Sequence, residues 1–189
     1  IETMSSREEV VAAAAGAATT GLPMVCTLTF DTAGRTMMGM SPEEAASICQ
    51  AFEPPPLAYG ANCGNGPAEL VHAVVGMTRI AGSRAVLVAK GNCGIPEFLD
   101  GHIHYNGTPE IMAEYARMAR DAGARIIGAC CGSTPVHLKA MVDALVGYEP
   151  QAVPGIDEIE ARLGPLTAAA KTDGADRRQR KRHRRRGRG

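Results

Sequence analysis

Short, nearly continuous apolar runs alternate along the chain with longer stretches in which apolar residues recur every three to four positions. Four runs read as strands, at residues 24–30, 57–62, 85–89 and 124–128. Strands buried on both faces of a parallel sheet have this character. Ile1 and Glu2 read as the end of a further strand. The stretches between have the helical period and predict helices over 7–19, 42–52, 67–81, 109–122 and 135–145. Ser41-Pro42, Thr108-Pro109 and Thr134-Pro135 each put a hydroxyl at the N-cap and Pro at the first helical position. Gly21, Gly82, Gly123 and Gly147 stand where helices should stop.

This alternation predicts an α/β fold built from βαβ units of about 30 residues each. Doubly wound sheets and (β/α)₈ barrels both produce it. No Gly-x-Gly-x-x-Gly turn follows a strand, which weighs against dinucleotide binding. Residues able to do chemistry gather just past the strand C-termini: Glu2, Asp31, Asn62-Cys63, Asn92-Cys93 and Cys130-Cys131. Barrel enzymes place their chemistry at that face. Four units and a strand end make about half a barrel, and the chain begins inside an element, so it reads as a fragment of a larger barrel. From Gln151 the pattern fades, with one more short helix expected over 157–163. Residues from about 168 onward are small, polar and then basic, and are expected to be disordered.

Hydrophobic residues are 45% of the 189, but aromatics are 4% and Trp is absent. Ala, Val, Leu, Ile and Met must therefore fill the core. No apolar run approaches the roughly 20 residues that span a bilayer, and no secretory leader pattern is present. The expectation is a cytoplasmic protein with no membrane role. The formal net charge of zero hides an asymmetry. Residues 171–189 hold ten basic and two acidic residues, while residues 1–170 hold ten basic and eighteen acidic. The basic tail lacks the interleaved aromatics of a nucleic-acid binder, and reads as a solvated appendage.

Six cysteines with an adjacent pair make a poor disulfide framework and fit a reducing setting. Cys63 ends one strand and Cys130-Cys131 end another. Three thiolates converging from two strand ends can hold one Zn²⁺ with its fourth position open, the pattern of a catalytic zinc. Adjacent cysteines on a regular strand point opposite ways, but Gly132 can break the strand there. Spacing alone leaves the ordinary alternative open, because Cys is among the most buried residue types. Cys26 and Cys49 read as core. Cys93 is a rival or supplementary ligand, since Asn92-Cys93-Gly94 repeats Asn62-Cys63-Gly64. His102 and His104 fall in a loop and read as surface. Asp31 reads equally as a donor-pocket residue or a turn, and Lys90 as a carboxylate contact or a solvated side chain. His137 reads as a capping or packing residue of the last long helix. Met37, Met38 and Met40 suit adaptable packing or an oligomer contact.

These motifs carry a family resemblance. Gly128-Ala129-Cys130-Cys131-Gly132-Ser133-Thr134-Pro135, followed by His137, resembles the Gly-Gly-Cys-Cys-Gly-Thr-x-Pro-x-His signature of homocysteine S-methyltransferases. Gly60-Ala61-Asn62-Cys63 resembles their Gly-x-Asn-Cys motif, and Ile1-Glu2-Thr3 their Glu-Thr strand end. The segments 30–39 and 92–97, with the Arg-rich tail, look most like the bacterial betaine–homocysteine methyltransferases. Ala129 and Ser133 depart from the signature, and the Asp-Gly-x-x-Gly-Thr motif of the family's first strand is missing. The resemblance implies that residues 1–147 are the C-terminal half of a (β/α)₈ TIM barrel. A C-terminal extension over 148–167 and the tail over 168–189 would follow.

The resemblance further implies a Zn²⁺ cofactor held by Cys63, Cys130 and Cys131, with no separate catalytic residue. Glu2 would bind the amino group of homocysteine, and Asn62 would serve the substrate side by shaping the ligand loop. Zinc coordination keeps a thiol deprotonated at neutral pH, so the homocysteine sulfur can displace a methyl group from an activated donor. The implied partners are homocysteine and a small methyl donor, in a homo-oligomer. Betaine is the expected donor, giving methionine and dimethylglycine, with S-methylmethionine and methyltetrahydrofolate as alternatives. The non-catalytic alternatives are an inactive truncated barrel and a nucleic-acid-binding protein acting through the tail.

Overall fold

The computed structural model describes residues 1–167 apart from Ser83. The disorder expected from residue 168 lies outside the described residues. The elements run α1 (Arg7–Ala18), β1 (Val25–Leu28), α2 (Pro42–Gln50), β2 (Ala58–Cys63), α3 (Pro67–Thr78), β3 (Leu87–Gly91), β4 (Pro96–Leu99), β5 (His102–Tyr105), α4 (Pro109–Asp121), β6 (Ala124–Ala129), α5 (Pro135–Leu145) and α6 (Ile156–Leu163). The four strands and six helices expected from the sequence form, with the largest shift in a boundary three residues, while the strand end expected at Ile1-Glu2 is reduced to a single bridge from Met4 to Leu28.

Strands β1, β2, β3 and β6 pair in parallel, in that spatial order. Ile1 and Met4 run beside β1, with Thr27 N–H donating to Ile1 O at 3.0 Å and Thr29 N–H to Met4 O at 3.1 Å. Spatial order thus follows chain order with no reversal, which is the pattern of a partial α/β barrel rather than a doubly wound sheet. Helices α2, α3 and α4 lie side by side, with α3 against β2 and β3 and α4 against β6.

The helices dock because their apolar positions recur at helical spacing. In α4, Met112, Tyr115, Ala116, Met118 and Ala119 are all fully buried. Burying each of the three large ones contributes about 1.5–3 kcal/mol. A charge at Ala116, in the middle of that stripe, would undo the docking. Ser41 and Thr108 accept from the third-residue N–H of their helices at 3.2 and 3.3 Å, as N-caps should. With few aromatics to use, the core is filled by Met, Val, Ala and Leu, and Tyr115 is its largest fully buried side chain.

Two features differ from expectation. The loop expected around His102 and His104 is an antiparallel hairpin, β4–β5, paired from Pro96–Tyr105 to Leu99–His102. Its two-residue turn, Asp100-Gly101, has φ of 49° and 81°, which is the geometry of an Asp-Gly hairpin turn. The second feature is how residues 148–167, where the pattern fades, are tied back to the domain on either side of the expected short helix. Tyr148 Oη and Gln151 N–H donate to the Asp121 carboxylate at the end of α4. Helix α6 packs on α3 and α4 through the fully buried Ile159. Arg162 pairs with Glu114 of α4. No helix among the described residues is long and apolar enough to cross a membrane.

Candidate metal centre

The sheet delivers two cysteine-bearing turns to one end. The first leaves β2. Cys63 has φ of 57° and Gly64 of 74°, so two successive left-handed residues swing the Cys63 side chain off the strand. Left-handed backbone is uncommon outside glycine and marks a conformation held by its surroundings. Asn62 supplies much of that hold. It is 1% exposed. Its Oδ1 accepts from Thr3 N–H at 2.9 Å and from Thr27 Oγ1 at 2.7 Å. Its Nδ2 donates to Thr3 Oγ1 at 2.8 Å and to Cys63 Sγ at 3.4 Å.

The second turn leaves β6. Cys130 N–H donates to Gly91 O at 2.7 Å and Cys131 N–H to Asn92 Oδ1 at 3.1 Å. Asn92 also donates from Nδ2 to Gly64 O at 2.8 Å, so one amide ties the two cysteine turns together across the end of β3. Gly132, with φ of 77°, breaks the strand as expected. A Cβ there would lie 2.2 Å from Cγ of Tyr105. The Tyr105 ring of the hairpin therefore lies directly on the cysteine turn.

The result is three converging sulfurs. Cys63 and Cys130 Sγ are 2.8 Å apart, Cys130 and Cys131 Sγ 4.0 Å apart, and all three lie within 4.8 Å. Zn–S bonds of about 2.3 Å put tetrahedral sulfurs about 3.8 Å apart, so the Cys130–Cys131 pair already has the spacing for zinc and the Cys63 and Cys130 sulfurs, at 2.8 Å, must part by about 1 Å. Burial and the neighbouring Cys130 and Cys131 sulfurs push the Cys63 thiol up to about 12. Burial opposes ionisation of Cys130 too, yet its hydrogen bonds with Cys63 and with Cys131 hold its thiol below the ordinary value. Burial and the nearby Cys131 sulfur push Tyr105 up, with the other two sulfurs adding to it.

Cys93 is not among these sulfurs. It is buried, and its Sγ donates to Gly107 O at 3.1 Å. Cys26 and Cys49 are fully buried in the core. Glu2 lies one residue before the Thr3 that Asn62 holds, and its carboxylate pairs with Lys90 Nζ at 2.6 Å. That ammonium beside it keeps Glu2 below the usual carboxylate range. Asp31 sits at a tight turn, with Thr32 and Arg35 bonded to each other in both directions. His102 and His104 are exposed and join no metal-binding cluster among the described residues. His137 Nδ1 accepts from Thr134 N–H at 3.1 Å, so it caps α5.

A family model described as homocysteine S-methyltransferase matches residues 1–145. The chain belongs to the homocysteine S-methyltransferase family. Methyl transfer to homocysteine is the activity that membership supports. Within this homocysteine S-methyltransferase domain, Thr27 and Tyr105 belong to none of the sequence motifs, while Asn92 lies in the repeated Asn-Cys-Gly. A polar Thr27 inside an apolar strand is itself a local signal, since a buried hydroxyl needs a partner.

Proposed function

We propose that this chain is the C-terminal half of a TIM-barrel, zinc-dependent methyltransferase that moves a methyl group from betaine to homocysteine. The convergence of three sulfurs from two turns at the strand C-termini supports the reading most strongly. Cys63, Cys130 and Cys131 are the ligands. Zinc bound there supplies Lewis acidity that keeps the substrate thiol ionised at neutral pH. The protein's residues do the rest. Asn62 and Asn92 fix the two turns, so the three sulfurs keep one arrangement. Glu2 binds the homocysteine amino group, and Lys90 keeps that carboxylate ionised for it. Tyr105 covers one side of the sulfurs and narrows the approach of water. The substrate sulfur then attacks the methyl carbon of betaine in line, an S–CH3 bond forms as the N–CH3 bond breaks, and the electron pair stays on nitrogen, so the donor leaves as the neutral amine of dimethylglycine.

The remaining parts of the reading are a soluble cytoplasmic homo-oligomer, with 1–147 as the barrel part, 148–167 as an extension and 168–189 as an accessory tail that does not bind nucleic acid. Cys131→Ala tests the centre. Metal analysis should show zinc lost from the variant, and methyl transfer from betaine should fall with it. A variant that retains both zinc and activity refutes the reading. Running wild type with betaine, S-methylmethionine and methyltetrahydrofolate in parallel decides the donor.

A further inference from the structure

Residues 148–167 lie beyond the family match, yet they run back along the domain. Tyr148 and Gln151 are tied to Asp121, at the C-terminus of α4 and therefore at the end of the sheet where strands begin. Helix α6 then climbs between α3 and α4. Arg162 joins Glu114, and Leu166 N–H donates to Glu160 Oε1 at 2.9 Å. The chain arrives at Thr167 beside the first turn of α3, at the end where strands finish and the sulfurs lie. There Thr167 N–H donates to Glu69 Oε1 at 3.1 Å.

Glu69 is 4% exposed, and a carboxylate so enclosed must be bonded to be tolerated. Its other oxygen, Oε2, accepts from Asn65 Nδ2 at 3.1 Å. Asn65 Nδ2 also donates to Asp31 O at 2.6 Å, past the end of β1. Asn65 is two residues from Cys63, in the same turn. A continuous path of bonds thus leads from Thr167 through Glu69 and Asn65 to the turn that carries a sulfur. Asn62 holds that turn from behind and Asn92 from the β3 side, and this path holds it from the side of α3.

We infer that the extension, acting through Glu69, positions the Cys63 turn for metal binding. The inference rests on the zinc reading above. Glu69 touches neither substrate nor sulfur, so it is a positioning residue. Groups that orient metal ligands without touching the metal typically change affinity by about 10- to 100-fold.

Two variants of the whole chain test it. Glu69→Gln keeps the size of the side chain but replaces one acceptor oxygen with a donor that faces a donor. Thr167→Pro leaves Glu69 intact and removes the N–H that reaches it, at an exposed position outside regular secondary structure, with a restriction of the Leu166 backbone as its side effect. Zinc affinity is read by competition with a chromogenic chelator. The absorption spectrum of the Co²⁺-substituted protein reports the geometry of the sulfurs independently of activity. Both variants should bind zinc about ten-fold more weakly or worse and show an altered Co²⁺ spectrum, with helical content unchanged. If Glu69→Gln does not fold, Thr167→Pro decides alone. Wild-type affinity and spectrum in Thr167→Pro overturn the inference, whatever Glu69→Gln does. Wild-type protein that binds no zinc would instead overturn the reading beneath it.

Discussion

Replacing Asn62 by Ala should cost the fold several kcal/mol even without metal. The side chain is enclosed and makes four hydrogen bonds to residues 3, 27 and 63. Removing it strands the Thr27 hydroxyl, which is 2% exposed. An unsatisfied buried donor costs about 1–3 kcal/mol. The Thr3 N–H loses its partner too, but Thr3 is exposed and water can replace part of that bond. A total of about 2–4 kcal/mol follows, or a fall in Tm of about 5–15 °C for a chain of this size. Thermal unfolding of metal-free protein is the assay, because bound metal would add its own stabilisation. Thr27→Val, alone and combined with Asn62→Ala, completes a cycle that should show a coupling of about 1 kcal/mol. A loss below about 1 kcal/mol for Asn62→Ala, or additive effects of the pair, would refute the assignment of Asn62 as the anchor of the Cys63 turn.

Gly132→Ala should lower both Tm and zinc affinity, because its Cβ would meet the Tyr105 ring at 2.2 Å and its φ is 77°. In a Tyr105→Ala background the contacts at 2.2 and 2.5 Å disappear and only the one with Cβ of residue 105, at 2.7 Å, is left, so the loss should shrink towards the backbone cost of about 1 kcal/mol without reaching it. Equal losses in both backgrounds would show that the ring is not the obstacle. Gly60→Ala places a Cβ 1.9 Å from Val88 O, and backbone cannot step aside, so β2 must part from β3. Little soluble protein is expected, and a normal circular dichroism spectrum with full zinc binding would contradict the close approach. Zinc affinity should fall as pH falls. Cys63 is pushed up to about 12 in the metal-free protein, so at every lower pH metal must displace its proton. Each released proton makes log affinity rise by about one per pH unit. Affinity that is flat with pH would exclude Cys63 as a thiolate ligand.

The sheet was legible because buried parallel strands are almost wholly apolar, and because Ser-Pro and Thr-Pro caps mark helix starts without tertiary help. The β4–β5 hairpin was not, although Asp100-Gly101 carried its turn signal. Phe98, Leu99 and Ile103 are all exposed, so no apolar face distinguished those strands from a loop. The three sulfurs were legible from their motifs. The repeated Asn-Cys-Gly was informative in its asparagine, since Asn92 joins the two turns while Cys93 bonds to Gly107. Tyr105 lies 26 residues before Cys131 on an unforeseen hairpin, so no local pattern could pair them. The bond from Thr167 to Glu69 spans 98 residues and uses a backbone donor, which no side-chain pattern encodes.

Asn62, Asn65 and Asn92 hold the cysteine turns with bonds that involve protein alone. A zinc finger is built the other way, and its chain unfolds when the ion is withdrawn. On the zinc reading proposed above, the amides make the centre a socket and not a keystone. A socket can be emptied and refilled while the chain stays folded. Zinc supply would then set the fraction of molecules that are active, without changing how many survive.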